Sequence, residues 1–387
     1  MNTTLPSAWR YAKIGKCCTI VSGATPRRNV PQYWGKDIPW VTPKDLSNLE
    51  GPVLKDTPEY ISKEGYRSCS ATILPKGSIL FSSRAPIGLV SIAGRDMCTN
   101  QGFKSLIPGQ DVYSGYLYHC MKWMAPKIAD MGNGATFKEV SKEVVSRVEI
   151  PLPPLSEQKR IAAVLDKADA IRRKRQAAIK LADEFLRAVF LDMFGDPVTN
   201  PKGWEVYPIM DLGKVITGST PSSQKDGMFG GKIPFVTPGD LESDSDAKRY
   251  VTEEGAKNSR TVREGATLVC CIGATIGKVD MAQSFCAFNQ QINAIEWGDS
   301  VADIYGYWAM RFLKSLVIKK AITTTLPILK KSLFETIEIP LPSLDLQKKF
   351  ESVFLKHLSG INLEKAMLEQ LELLFRSLIQ RAFHGEL

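Results

Sequence analysis

"EIPLPPLSEQKR" (Glu149–Arg160) and "EIPLPSLDLQKK" (Glu338–Lys349) are nearly the same sentence, written 189 residues apart. Such agreement over a dozen positions is too close for coincidence, and internal repetition has to be settled first because it decides the fold. Upstream of each copy the matches continue. "SGATP" at Ser22 faces "TGSTP" at Thr217, and "GKDIPWVTPKDL" from Gly35 faces "GGKIPFVTPGDL" from Gly230. "YISKEG" from Tyr60 faces "YVTEEG" from Tyr250, "KGSILFSSRAPIG" from Lys76 faces "EGATLVCCIGATIG" from Glu264, and "TNQGFK" from Thr99 faces "FNQQIN" from Phe288. Trp9 and Trp204 open the two copies. The offset slides from 195 to 189 residues, so the copies differ by loop insertions. Each copy is about 185 residues, far longer than the 20 to 50 of a solenoid repeat. The chain is a tandem duplication of a domain-sized unit.

Within each copy the first ~150 residues are rich in Gly, Pro and short β-type runs such as "IPWVTP", "GSILFSS" and "LVSIAG", separated by turn signals. Helices are expected at "SGYLYHCMKWMAPKIA" and its counterpart "IYGYWAMRFLKSLVIKKA". The repeated sentence then changes the texture. Its alternating prolines force extended chain, and Ser156 and Asp345 stand where N-caps are expected. Neither following stretch contains Pro, nor a stop signal until "FGDP" and "FHGEL", where Gly195 and Gly385 are natural ends. Each helix would run roughly 58 Å at 1.5 Å per residue. Phe350, Phe354, Ile361, Leu368, Leu371, Phe375 and Leu378 follow a 4/3 spacing interrupted by His357 and Glu364. Ile161, Leu165, Ala168, Ile179, Leu186 and Val189 do the same less purely, with Arg172 and Arg175 intruding. Stripes this long want a partner helix, and an antiparallel pair from one chain is the economical solution. The expected class is α+β, a tandem duplication of two α/β globules, each followed by a long helix. The expected boundaries are 1–155 and 196–344 for the globules, 156–195 and 345–387 for the helices.

Bulk properties narrow the function. The chain has 387 residues, 44% hydrophobic and 24% charged, as in an ordinary globular protein. Its first residues lack the apolar core of a signal peptide and no apolar run approaches a bilayer span, which points to the cytoplasm. Eight cysteines include no C-x-x-C pair, and only three histidines accompany them, so metal is not expected and the cysteines read as reduced core residues. The net charge is +9. Up to Gly195 there are 28 Lys/Arg against 18 Asp/Glu, and after it 22 against 23, so the excess lies wholly in the first copy. A basic surface attracts polyanions, nucleic acid first.

Catalytic signatures are missing. None of the Gly-Lys pairs at Gly15, Gly35, Gly213, Gly231 and Gly277 is followed by Ser or Thr, so there is no P-loop. G-x-S-x-G, H-E-x-x-H, and H-x-E with C-x-x-C are absent, as is the N-P-P-[FY] of amino-methyltransferases. Glu157–Lys159 has the E-x-K pattern of a nuclease, but its twin begins with Leu346, and a Glu in a first helical turn serves the dipole. Two non-catalytic globules held by rigid helices make a two-point ruler. On a duplex, such a ruler implies a split target with an unread gap, as half-site spacing does in dimeric DNA binders.

The "EIPLPPLSEQKRIAAVLD" block, the "G-[AS]-TP" and "IP[WF]VTP-x-DL" signatures, the "NQ" step and the "LADEFLRAVFLDMFGDP" helix end resemble the specificity subunit of type I restriction–modification systems over nearly the whole chain. The resemblance implies two target-recognition domains, two antiparallel central helices and no catalysis by this chain. As partners it implies double-stranded DNA, two adenine N6-methyltransferase (modification) subunits and restriction/translocase subunits. S-adenosylmethionine and ATP would be bound by those partners. It also implies a bipartite, asymmetric target, in agreement with the ruler argument.

Candidate DNA contacts in the first copy are Arg27 and Arg28 after the "GATP" turn, Lys44 in "VTPKDL" and Arg84 in "SSRAPIG". Arginine can take guanine bidentately, while lysine more often holds phosphate. Their counterparts are Ser222, Ser223, Gly239 and Ile272, so Gln224, Lys225 and Lys232 are the candidates in the second copy. Asn100–Gln101 and Asn289–Gln290 recur in both copies, which favours a buried hydrogen-bonding role over base readout. The "RRKR" run from Arg172 can face DNA phosphate, a partner or solvent, and Trp40 and Phe235 read as core. Pro151, Pro153, Gln158, Pro340, Pro342 and Gln347 are the candidate docking residues for two copies of a methyltransferase. The rival readings are a non-DNA assembly scaffold, a nuclease with an unrecognised site, and a specificity subunit of a related phage-defence or methylation-only system. Salt-dependent duplex binding counts against the first and metal-dependent cleavage by this chain alone would establish the second. The third differs only in its neighbouring genes.

Overall fold

A computed structural model describes residues 6–47, 49–134, 138–243, 246–321 and 326–387. The chain packs into two compact units, Met1–Gln176 with Met367–Leu387, and Ala177–Ala366. Among the described residues, no helix is long and apolar enough to cross a membrane.

The duplication is visible strand by strand. In the first unit a five-stranded sheet has the order Cys18–Ser22, Lys104–Pro108, Ile79–Ser83, Ile87–Ala93, Val53–Leu54. In the second, Gly213–Thr217, Ile292–Trp297, Thr267–Cys270 and Val279–Met281 repeat the first four places. A smaller sheet sets Trp34–Val41 between Tyr60–Ile61 and Cys98–Thr99, and its twin sets Phe229–Val236 between Tyr250–Val251 and Cys286–Phe288, with Thr261–Val262 outermost. Ile79–Ser83 is buried at every position, as expected of a strand covered on both faces. The helix Ser114–Asp130 lies against the first sheet. Its expected counterpart is broken at Leu313 into Asp303–Phe312 and Lys314–Lys320.

The repeated sentence is the weld between sheet and helix. Glu149–Leu152 pairs antiparallel with Arg10–Lys13, and Glu338–Pro340 with Val206–Pro208. The long helices run Leu155–Phe194 and Leu344–His384. Ser156 and Asp345 are not their N-caps, because each helix starts one residue earlier. The carbonyls of Pro154 and Ser343 already accept the Gln158 and Gln347 amides, at 3.0 and 3.1 Å.

Each unit contains a stretch of both long helices, running in opposite directions. In the first unit Arg160 reaches the Leu387 carbonyl and Arg172 reaches Glu372. In the second, Phe185 stacks on His357 and Phe194 meets Phe350 edge-on. Ile161, Leu165, Phe375 and Phe383 are buried in the core of the first unit; Leu186, Phe190, Phe350 and Phe354 are buried in that of the second.

Candidate nucleic-acid interface

The shared motifs of each copy meet at one place. A Cβ on Gly23 would stand 1.9 Å from the Asn100 carbonyl, and one on Gly218 2.1 Å from that of Asn289. The glycine of "G-x-TP" is therefore the residue that lets this turn lie against the "NQ" step. The next threonine then bonds the glutamine: Thr25 to Gln101, and Thr220 to Gln290 at 2.6 Å. Asn100 and Asn289 close the step by accepting the Gly102 and Gln291 amides at 2.8 and 3.1 Å. The hydrogen-bonding role is present, but the asparagines are half-buried and the glutamines exposed, so burial is not its cause. In "VTP-x-DL", Asp45 accepts both the amide and the hydroxyl of Thr42, and Asp240 does so from Thr237. Leu46 and Leu241 are buried behind them.

These turns carry the basic candidates of the first unit. Trp40, 1% exposed, donates from Nε1 to the Ala24 carbonyl at 2.9 Å, which ties the Arg27–Arg28 loop to the small sheet. A side chain at Gly102 would meet Pro43 Cγ at 3.3 Å and Arg84 Cγ at 3.6 Å, so the loops of Lys44 and Arg84 converge there. Arg27 and Lys44 are exposed. Arg28 is already engaged: it bonds Glu59 bidentately at 3.0 and 2.9 Å and lies 4.1 Å from the Trp34 ring centre. Arg84 stands 4.0 Å from Glu139, whose other oxygen takes Lys104 at 3.2 Å. Lys104 was not expected from the sequence, because a lysine in a strand reads as a solvated side chain until the partner is placed.

In the second unit Gln224, Lys225 and Lys232 are exposed, and Lys225 faces Glu254 at 3.7 Å. The structure adds Arg249. Its guanidinium lies 4.2 Å from Phe229 and 5.5 Å from Phe235, the counterparts of Trp34 and Trp40. A cation thus sits over the aromatic pair in both units, but Arg249 occupies the position of Glu59, so alignment of the repeats conceals the equivalence.

The proposed docking residues are all interior. Pro151, Pro153, Pro340 and Pro342 are buried, and Gln158 and Gln347 are 0% exposed. Gln158 Oε1 accepts the Tyr113 amide, while Nε2 donates to the Asp111 and Pro153 carbonyls, all at 2.8 Å. Gln347 repeats this with the Ala302 amide and the Ser300 and Pro342 carbonyls, at 2.8, 3.1 and 2.9 Å. The Pro151 and Pro340 carbonyls accept the hydroxyls of Tyr116 and Tyr305. These side chains lock the helix to its own unit and present no docking face.

Of the arginines that break the helical stripe, Arg172 is paired within the chain, together with its neighbour Arg173. Arg172 bonds Asp169 at 2.8 Å and Glu372 at 2.9 Å, and Arg173 bonds the other Asp169 oxygen at 2.8 Å. Burial raises the Asp169 pKa, but the Arg172 hydrogen bond, the Lys122 charge and Arg173 outweigh it and hold the carboxyl below its ordinary value. A depressed carboxyl stabilises the fold above its unfolded pKa, about 3.9, and loses that contribution as pH falls through the folded value. Asp169→Asn should therefore cost about 3 kcal/mol in denaturant unfolding at neutral pH, since it strips a buried pair of one partner. The gap from the unmodified chain should narrow below that unfolded pKa; a gap that is constant with pH would refute the assignment.

All eight cysteines are free thiols, six of them buried. Burial pushes Cys98, Cys271 and Cys286 up to about 12, which keeps them protonated and inert.

A family model described as "Type I restriction modification DNA specificity domain" matches residues 6–181 and 201–373. The type I restriction enzyme MjaIX specificity subunit of Methanocaldococcus jannaschii is 32% identical, over 90% of this chain and 86% of that protein. The EcoR124I/EcoR124II specificity subunit of Escherichia coli is 29% identical, over 42% of this chain and 41% of its own length. Among solved structures, the type I restriction–modification S subunit from M. genitalium matches 99% of this chain and 97% of its own, with a TM-score of 0.60 at 15% identity. That likeness is one of fold.

Proposed function

The chain belongs to the type I restriction–modification DNA specificity family, and we propose that it steers a type I complex to a split, asymmetric duplex target without chemistry of its own. One observation carries this reading. The two units share four places of the main sheet, three of the small one, the motif turns and the welded junction, yet differ in the side chains those turns expose. Shared scaffold with diverged loops is what two readers of different half-sites require. The long helices, each contributing to both units, would fix the unread gap.

Two adenine N6-methyltransferase subunits and the restriction/translocase subunits are the assigned partners, and S-adenosylmethionine and ATP belong to them. Docking falls to exposed apolar residues of the helices, since the junction is interior. Leu155, Ile171, Leu373 and Leu374 are exposed in the first unit, and Leu181, Leu355 and Leu363 in the second. Charged faces would be expected on helices that met only water.

Duplex binding by the chain, alone and with co-purified partners, tests the DNA reading. The logarithm of affinity should fall with the logarithm of salt concentration. Arg27→Ala combined with Lys44→Ala should flatten that slope by about one per lost phosphate contact. Binding indifferent to salt would favour the protein scaffold instead.

A further inference from the structure

The units differ in charge at one matched pair of positions beside the "NQ" step. In the first, Arg84 and Glu139 face each other in an antiparallel bridge, and the Val140 amide donates to the Ser83 carbonyl at 3.0 Å. In the second, Ile272 and Ile328 form the same bridge, and the Leu329 amide donates to the Cys271 carbonyl at 2.8 Å. Both bridges adjoin the motif turns. Arg84 lies beside Gly102, whose amide Asn100 accepts, and the Ile272 carbonyl accepts Gln291 Nε2 at 3.5 Å.

A third exchange accompanies these two. Lys104, opposite Ser22 in its strand pair, has its counterpart in Asn293, opposite Thr217. Lys104 is buried and donates to Glu139 at 3.2 Å, whereas Asn293 accepts the Thr217 hydroxyl at 2.7 Å and donates to Cys271 Sγ at 3.4 Å. Two cations and an anion are thus exchanged together, so neither unit strands a buried charge. What remains at the surface differs. The Arg84 side chain is 37% exposed, and its guanidinium, 4.0 Å from Glu139, makes no hydrogen bond among the described residues. Ile328 is 36% exposed and Ile272 half-buried.

These surfaces select different bases. A guanidinium with open N–H groups can donate to both O6 and N7 of guanine, while isoleucine has no donor and tells bases apart in the major groove only through the 5-methyl of thymine. Two isoleucines at a polar turn gain nothing from water, and an apolar group of the bound base is what would cover them. We propose that this matched position reads a base in each unit: Arg84 takes a guanine in one half-site, and Ile272 with Ile328 takes a thymine methyl in the other. This rests on the DNA reading above and adds to it the residues and the bases.

The test uses the complex purified through this chain and a pool of duplexes with randomised half-sites, selected by binding and sequenced. The selected duplex is then resynthesised one position at a time, with 7-deazaguanine for guanine or uracil for thymine. One guanine of one half should need its N7, with affinity falling about tenfold on replacement, and Arg84→Ile should erase that dependence. One thymine of the other half should need its methyl, with affinity falling about fourfold on replacement by uracil. Ile272→Ala combined with Ile328→Ala should erase that dependence in turn. A variant that merely weakened the fold would lower affinity for both duplexes equally, so the ratio separates base reading from structure. A selected motif that lacks either dependence, or keeps both in these variants, would overturn the proposal and leave the DNA reading standing. A pool from which no motif is selected would overturn both.

Discussion

A chain whose residues 6–154 are exchanged for the equivalent segment of another family member is expected to change one half of the DNA target and leave the other half alone. The exchange respects the packing. Both strands of the junction ribbon, Arg10–Lys13 and Glu149–Leu152, travel together. The retained Gln158 then needs only backbone partners, at Asp111, Tyr113 and Pro153, which any segment with the same turn provides. The donor must also keep an aromatic surface for the retained Phe383, which stacks on Trp123 at 4.9 Å and meets Tyr116 edge-on. Each mismatched base pair costs about 1–3 kcal/mol, so losing one half-site should lower affinity for the old target by at least about 10³-fold. A change in both halves would mean that the units do not read independently.

Gln158→Leu is expected to destabilise the first unit by about 3 kcal/mol, because it removes the partner of the buried Pro153 carbonyl and of the part-buried Tyr113 amide and Asp111 carbonyl. At this domain size the melting temperature of that unit should fall on the order of 10 °C. Gln347→Leu should do the same to the second unit only, since its partners at Ser300, Ala302 and Pro342 all lie there. The two effects should be nearly additive, as the sites share no partner. Unfolding of the isolated chain, followed by calorimetry, separates this from a docking role. Loss of partner binding with unchanged stability would restore the glutamines to a docking surface and contradict the burial argument.

The duplication, the junction and the long helices were legible because each is written locally: matched words, alternating prolines, and long stretches free of proline. What the repeated sentence does was not legible. Its recurrence in both copies suggested a shared surface, whereas Gln158, Gln347 and the matched prolines Pro151, Pro153, Pro340 and Pro342 are buried and recur because both units weld their helix in the same way. Arg172 looked like an intrusion because its partner Glu372 is 200 residues away and becomes a neighbour only when the helices run antiparallel. Arg249 was hidden by alignment, since it does the work of Arg28 from the position of Glu59.

Single-molecule methylation sequencing of the native genome, with and without this gene, tests the central claim most directly. The account predicts that deletion removes N6-methyladenine from one split, asymmetric motif and from no other. A methylation pattern unchanged by deletion of the expressed gene would contradict it.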